Sequence, residues 1–144
     1  MRMKNFLYPG HPVASAVLLL GLLHVPAVAG ETALSPDEIR TVLVGNTIHG
    51  IGEESGWFFA IYYLPDGTAS GKSAPTEASA YFMYDKGKWE ITGETGYCLT
   101  WKTWKSGIRR CMDMIPKDGR YEFRTKDGRL QSVTDLLPGN PDGL

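Results

Sequence analysis

The spacing of hydrophobic and polar positions changes at Gly45. Before it, Ile39, Val42 and Leu43 recur at helical spacing. Ser35 is a candidate N-cap, Pro36 suits the first helical position, and Glu38 completes a capping box. Gly45 suits the left-handed residue that ends a helix. The spacing predicts one short helix, from about Pro36 to Val44.

After Gly45 the pattern is strand-like and broken by turns. Strands are predicted over 46–51, 57–64, 68–72, 80–84, 88–92, 97–101, 109–115, 120–125 and 129–133. Trp57–Leu64 is a near-continuous apolar run, as in a strand covered on both faces. Turns are predicted at Pro65-Asp66-Gly67, Asp85-Lys86-Gly87, Lys117-Asp118-Gly119 and Lys126-Asp127-Gly128. Residues 136–144, with two prolines and two glycines, read as a coil tail. About eight short strands joined by hairpins close most simply into a small antiparallel up-and-down, lipocalin-like β-barrel. The predicted helix docks on one end of it. A sandwich of two small sheets is the alternative.

The first 29 residues fall outside this pattern. Arg2 and Lys4 form a positive start, Val13–Val25 is an apolar run, and Ala27-Val28-Ala29 is a small-x-small cleavage site. The expectation is a signal peptide over residues 1–29, one barrel domain over 30–135 and the tail. The apolar run is shorter than the ~20 residues of a spanning helix, so no transmembrane segment is expected once it is cleaved. The expected location is periplasmic or secreted. Arg2 and Lys4 are two of the 15 basic residues, which leaves 13 against 16 acidic ones in the remainder, a net charge of −3. That balance argues against a nucleic-acid partner.

Cys98 and Cys111 are the only cysteines, and an oxidising compartment predicts that they form one disulfide. If they face each other across a hairpin, Tyr97 faces Met112, Leu99 faces Arg110, and Trp101 faces Ile108. One face then carries Tyr97, Leu99, Trp101, Ile108, Met112 and Met114, and is the core side. Arg110 falls on that apolar face. A buried guanidinium is expensive unless paired. It must find a carboxylate, reach water at the barrel mouth, or meet an anionic ligand.

Catalytic constellations are sparse. Among residues 30–144, His49 is the only imidazole, and there is no G-x-S-x-G elbow, P-loop or H-E-x-x-H. Adjacent Glu53 and Glu54 point to opposite faces of an extended chain and read as a solvated loop. No metal or cofactor is expected. Trp104 lies in or beside the β-hairpin loop. It is either a surface contact for a partner or a plug over the barrel end.

The ordered set Leu43-x-Gly45-Asn46-Thr47, Asp66-Gly67-x-x-x-Gly71, Gly87-x-Trp89, Tyr97-Cys98-x-x-Trp101 and Cys111 resembles a family of small exported alphaproteobacterial proteins, a two-Cys domain of unknown function. The resemblance covers about residues 40 to 125 and implies a small β-rich exported domain without an assigned activity. Size and a single disulfide also resemble small periplasmic barrels that inhibit lysozyme. The Ser-Gly-x-x-Tyr stretch of that family's inhibitory loop is not in this chain.

The expected function is an exported, non-catalytic binding module. It would hold a small apolar or amphipathic ligand, with contacts from Trp57, Tyr62, Tyr97, Trp101 and Arg110. A protein-interaction or inhibitor module using Trp104, Glu53 and Glu54 is the alternative. A hydrolase using His49 comes third.

Overall fold

The computed structural model describes residues 31–93 and 96–144. The expected signal peptide lies outside them. Helix α1 spans Pro36–Leu43. Local chemistry starts it: the Ser35 backbone N–H and hydroxyl donate to the Glu38 carboxylate at 2.8 and 2.7 Å. Gly45, with φ 74°, turns the chain out of it.

Eight strands follow. They are β1 (Asn46–Gly52), β2 (Phe58–Tyr63), β3 (Thr68–Ala74), β4 (Met83–Ile91), β5 (Tyr97–Trp101), β6 (Arg110–Lys117), β7 (Arg120–Thr125) and β8 (Leu130–Pro138). Each pairs antiparallel with the next, and β8 returns to β1. The result is a closed up-and-down barrel with one short helix, as the hydrophobic pattern predicts, and not a sandwich. Closure leaves no sheet edge exposed. The Asp66-Gly67, Asp118-Gly119 and Asp127-Gly128 turns form, with their glycines at φ 87°, 76° and 88°. Asp118 also has positive φ, so Lys117 and Arg120 pair across a two-residue hairpin turn.

Two expectations fail. Asp85-Lys86-Gly87 is not a turn; it lies inside the single strand β4, so the predicted strands 80–84 and 88–92 merge. Gly87 is there for close approach. A Cβ on it would sit 2.7 Å from the Thr100 carbonyl oxygen, under Trp101. The tail is not all coil either. β8 runs to Pro138, and residues 136–138 pair with Asn46–Ile48 to close the barrel.

The two ends of the barrel differ. At the α1 end, Ile39 and Leu43 are fully buried in the core cluster that also holds Tyr63, Trp89, Tyr97 and Phe123. Tyr63–Trp89, Tyr63–Tyr97 and Tyr97–Phe123 meet edge-on at 5.7, 5.9 and 5.8 Å between centroids. The Tyr63 and Tyr97 hydroxyls share a 2.9 Å hydrogen bond. Burial pushes both phenols up in pKa, so they remain neutral. The other end carries the β1–β2, β3–β4, β5–β6 and β7–β8 connections. Among the described residues, the exposed large apolar side chains are Ile51, Trp57, Tyr81, Met83, Tyr84 and Ile108, all in those connections or in strand positions near them.

Candidate functional site: an open cavity with an arginine at its mouth

A cavity of about 340 Å³ opens at the end opposite α1. Strand parity decides what lines it. On β2, Phe59, Ile61 and Tyr63 point inward, whereas Phe58, Ala60 and Tyr62 point outward. Register carries the inward parity to Ile48 on β1 and to Leu99, Tyr97 and Met112 across the disulfide hairpin. Tyr97 and Phe123 lie deepest; Ile48, Phe59, Ile61, Leu99 and Met112 form the walls.

The disulfide forms between Cys98 and Cys111, and Tyr97–Met112 and Leu99–Arg110 pair as expected. The pairing stops there. Trp101 does not face Ile108, because the chain turns through a 3-10 segment, Trp104–Gly107, with Lys105 and Ser106 at φ 54° and 56°. Ile108 is 63% exposed and is not a core residue.

Trp101 and Trp104 pack on each other with centroids 4.6 Å apart. They cover Gly71, where a Cβ would lie 2.7 Å from both rings. A side chain at this position would push the indoles off the wall. Asp85 fixes the arrangement. Its carboxylate accepts hydrogen bonds from the backbone N–H groups of Thr103 and Trp104, at 2.8 and 2.7 Å, and from that of Lys86 at 2.8 Å. Burial raises the Asp85 pKa. The backbone N–H groups outweigh it, so the carboxyl titrates below its ordinary range and stays charged. Trp104 therefore belongs to the cavity wall and is not a free surface contact.

Of the other expected contacts, Trp57, Tyr97, Trp101 and Arg110 line the cavity. Tyr62 does not, because it sits on the outer face one residue out of phase. Glu53 and Glu54 lie in the exposed β1–β2 turn, where the Glu53 N–H donates to the Gln131 carbonyl at 2.9 Å and Glu54 reaches the cavity mouth. Phe59, Ile61, Leu99, Met112 and Phe123 were not foreseen as lining. Leu99 and Met112 share the inward face with Tyr97 and follow from the same register.

Arg110 is half-buried at the mouth, with Lys105 and Gln131 nearby on the lining. Its neighbour Arg109 points outward and pairs with Glu90 at 2.7 Å. Among the described residues, no carboxylate lies within ion-pair distance of Arg110. No buried side-chain nitrogen or oxygen there lacks a partner, so the guanidinium reaches solvent through the mouth.

Nothing among protein families, curated proteins or solved structures matches this chain. The cavity has to be interpreted from its own chemistry. Among the described residues there is no group of three or more His, Cys, Asp or Glu placed to hold a metal ion. No described helix is long and apolar enough to cross a membrane. The disulfide suits a compartment outside the reducing cytoplasm.

His49 is not at the cavity. It lies on the outer wall, where its Nε2 meets an Asp142 carboxylate oxygen at 2.5 Å. Lys72 Nζ meets the other oxygen of Asp142 at 2.5 Å. Lys72 also lies 4.6 Å from the centroid of Phe82, and Phe58 packs edge-on against the His49 ring. In register, His49 faces Ala60 and Ala60 faces Lys72, so Asp142 bridges the two over a fully buried alanine. This latch holds the chain end against the barrel, and with the Phe58–Phe82 contact it explains why β2 is covered on both faces. No hydroxyl or thiol of the described residues hydrogen-bonds the His49 ring.

Burial raises the Asp142 pKa, but Lys72 and His49 outweigh it and hold the carboxyl below its usual range. A depressed carboxyl pKa contributes stability above the unfolded value, and loses it as pH falls through the folded value. Amide exchange over residues 139–144, corrected for intrinsic rate, is therefore expected to rise on acidification below about pH 4. Asp142→Asn should raise it at neutral pH. Unchanged exchange in that variant would dismiss the latch.

Proposed function

We propose that this barrel is a non-catalytic binding module, periplasmic or secreted, that holds a small apolar or amphipathic molecule in its open end. One observation carries the reading: a cavity of about 340 Å³ walled mainly by aromatic and aliphatic side chains, with its charged groups, Glu54, Lys105 and Arg110, at the mouth. That volume is within the ~300–1,000 Å³ of small-molecule sites, and so is the pattern of apolar walls with sparse polar groups. A domain with no use for the space would fill it, because unfilled apolar volume destabilises a core. The resemblance of residues 40 to 125 to small exported proteins is compatible with this reading and adds no activity to it.

The test is titration with N-phenyl-1-naphthylamine, a neutral apolar fluorophore. Saturable 1:1 emission enhancement with a micromolar Kd, about −8 kcal/mol, is the expected result. Met112→Trp, which fills the chamber, should abolish it while leaving a cooperative thermal transition. Absence of enhancement up to about 100 μM would reject the binding reading. The exposed Ile51, Trp57, Tyr81, Met83 and Ile108 around the mouth support a second reading, a docking face for a protein partner. Tyr81→Ser should then weaken partner capture and leave fluorophore binding intact.

A further inference from the structure

The mouth of the cavity is chemically lopsided. A smaller recess of about 150 Å³ adjoins it and shares Arg110, Met112 and Gln131. Arg129, from the β7–β8 turn, also lines this recess, and Thr125 and Cys111 complete the named walls. No acidic residue lines it. The carboxylate that lines the main chamber is Glu54, on the exposed β1–β2 turn. Arg129, like Arg110, has no carboxylate of the described residues within ion-pair distance. By contrast Arg109, Arg120 and Arg124 each pair with an acid on the outer wall or beside it. Arg40, on α1 at the opposite end, is also without an ion pair among the described residues, and the charge of Arg129 is felt by Asp127 in the same turn. Of the described arginines without an ion pair, Arg110 and Arg129 are the two that face one recess.

Resting on the binding reading, we propose that the ligand carries an anionic head, a carboxylate or a phosphate monoester, seated in the recess lined by Arg110 and Arg129, with its apolar part in the aromatic chamber. The physical reason is a difference between states. In the empty barrel, water at the mouth solvates both guanidinium groups. When an apolar chain fills the chamber, that water is excluded and a partner of opposite charge becomes worth more. Guanidinium groups offer paired N–H donors matched to the oxygens of either head. A neutral amphiphile would bury Arg110 without compensation.

The test is displacement of N-phenyl-1-naphthylamine from the disulfide-bonded protein by decanoate, decyl phosphate and decanol at neutral pH. At least one acid is expected to compete about tenfold or more better than decanol, and whichever does so identifies the head. Arg110→Gln should bring the acids to near parity with decanol, each competition being referred to that variant's own fluorophore Kd. Arg129→Gln, at an exposed position safe for folding, should cost several-fold, and Arg109→Gln nothing. Added salt should erode the preference. If the fluorophore binds but decanol competes as well as both acids, or if the preference survives the Arg110→Gln/Arg129→Gln double variant, the anionic head is refuted. If the fluorophore does not bind at all, the binding reading itself falls, and this inference with it.

Discussion

Leu43→Ala is expected to lower the unfolding free energy by about 2–5 kcal/mol. Leu43 has no solvent exposure, and with Ile39 it closes one end of the barrel over the Tyr63–Tyr97 pair. Truncation removes its methyl groups from a cluster whose rings are held edge-on to one another and collapse poorly into a gap. Val42, half-buried on the same helix, is the comparison: its truncation should cost visibly less. Urea denaturation of both variants checks this. A loss under about 1 kcal/mol for Leu43→Ala would mean that α1 is an ornament and not part of the core. Because α1 lies opposite the mouth, the folded fraction of the variant should still bind the fluorophore.

Loss of the disulfide is the second large effect. Cys98 and Cys111 are 13 residues apart, a loop worth roughly 3 kcal/mol in the chain-entropy picture. Its position in the sheet adds to its weight. β5 and β6 pair over only Tyr97–Met112, Cys98–Cys111 and Leu99–Arg110, the shortest seam in the barrel. The covalent link sits on the middle pair. A Cys98→Ser/Cys111→Ser variant, or reduction of the native protein, is expected to lower Tm by about 10–20 °C. The loosened seam borders Arg110 and Met112, so ligand affinity should fall in the same variant even below its Tm. A Tm within about 3 °C of the native protein would show that backbone pairing alone holds the seam.

Local signals made much of this fold legible in the sequence. Ser35, Pro36 and Glu38 start a helix by chemistry contained in four residues. Asp118-Gly119 makes a turn by its own backbone preferences, and two cysteines fix one register. The failures are non-local. Asp85-Lys86-Gly87 has the composition of a turn, but Asp85 is engaged by backbone N–H groups 18 and 19 residues away, which nothing nearby in sequence announces. Tyr62 is an expected ligand contact on a continuous apolar run that conceals which aromatics point inward; pairing with β1 and β3 decides the parity and puts it outside. Trp104 could not be oriented, since its place depends on Gly71 two strands away. Asp142 gave no signal in a stretch dominated by proline and glycine. Arg110 was found because a charge on an apolar face stands out against its own register.

Barrel closure also fixes the order of events in biogenesis. Asn46 pairs with Pro138 across nearly the whole length of the domain, so β1 has no partner on that side until the last strand arrives. A chain that emerges N-terminus first cannot complete its sheet until the last strand is out, and its earliest strand stays adhesive until then. Pairing of this span raises the contact order, which slows folding. A stop codon anywhere within β8 would leave two open strand edges facing solvent and convert a self-contained barrel into a seed for aggregation.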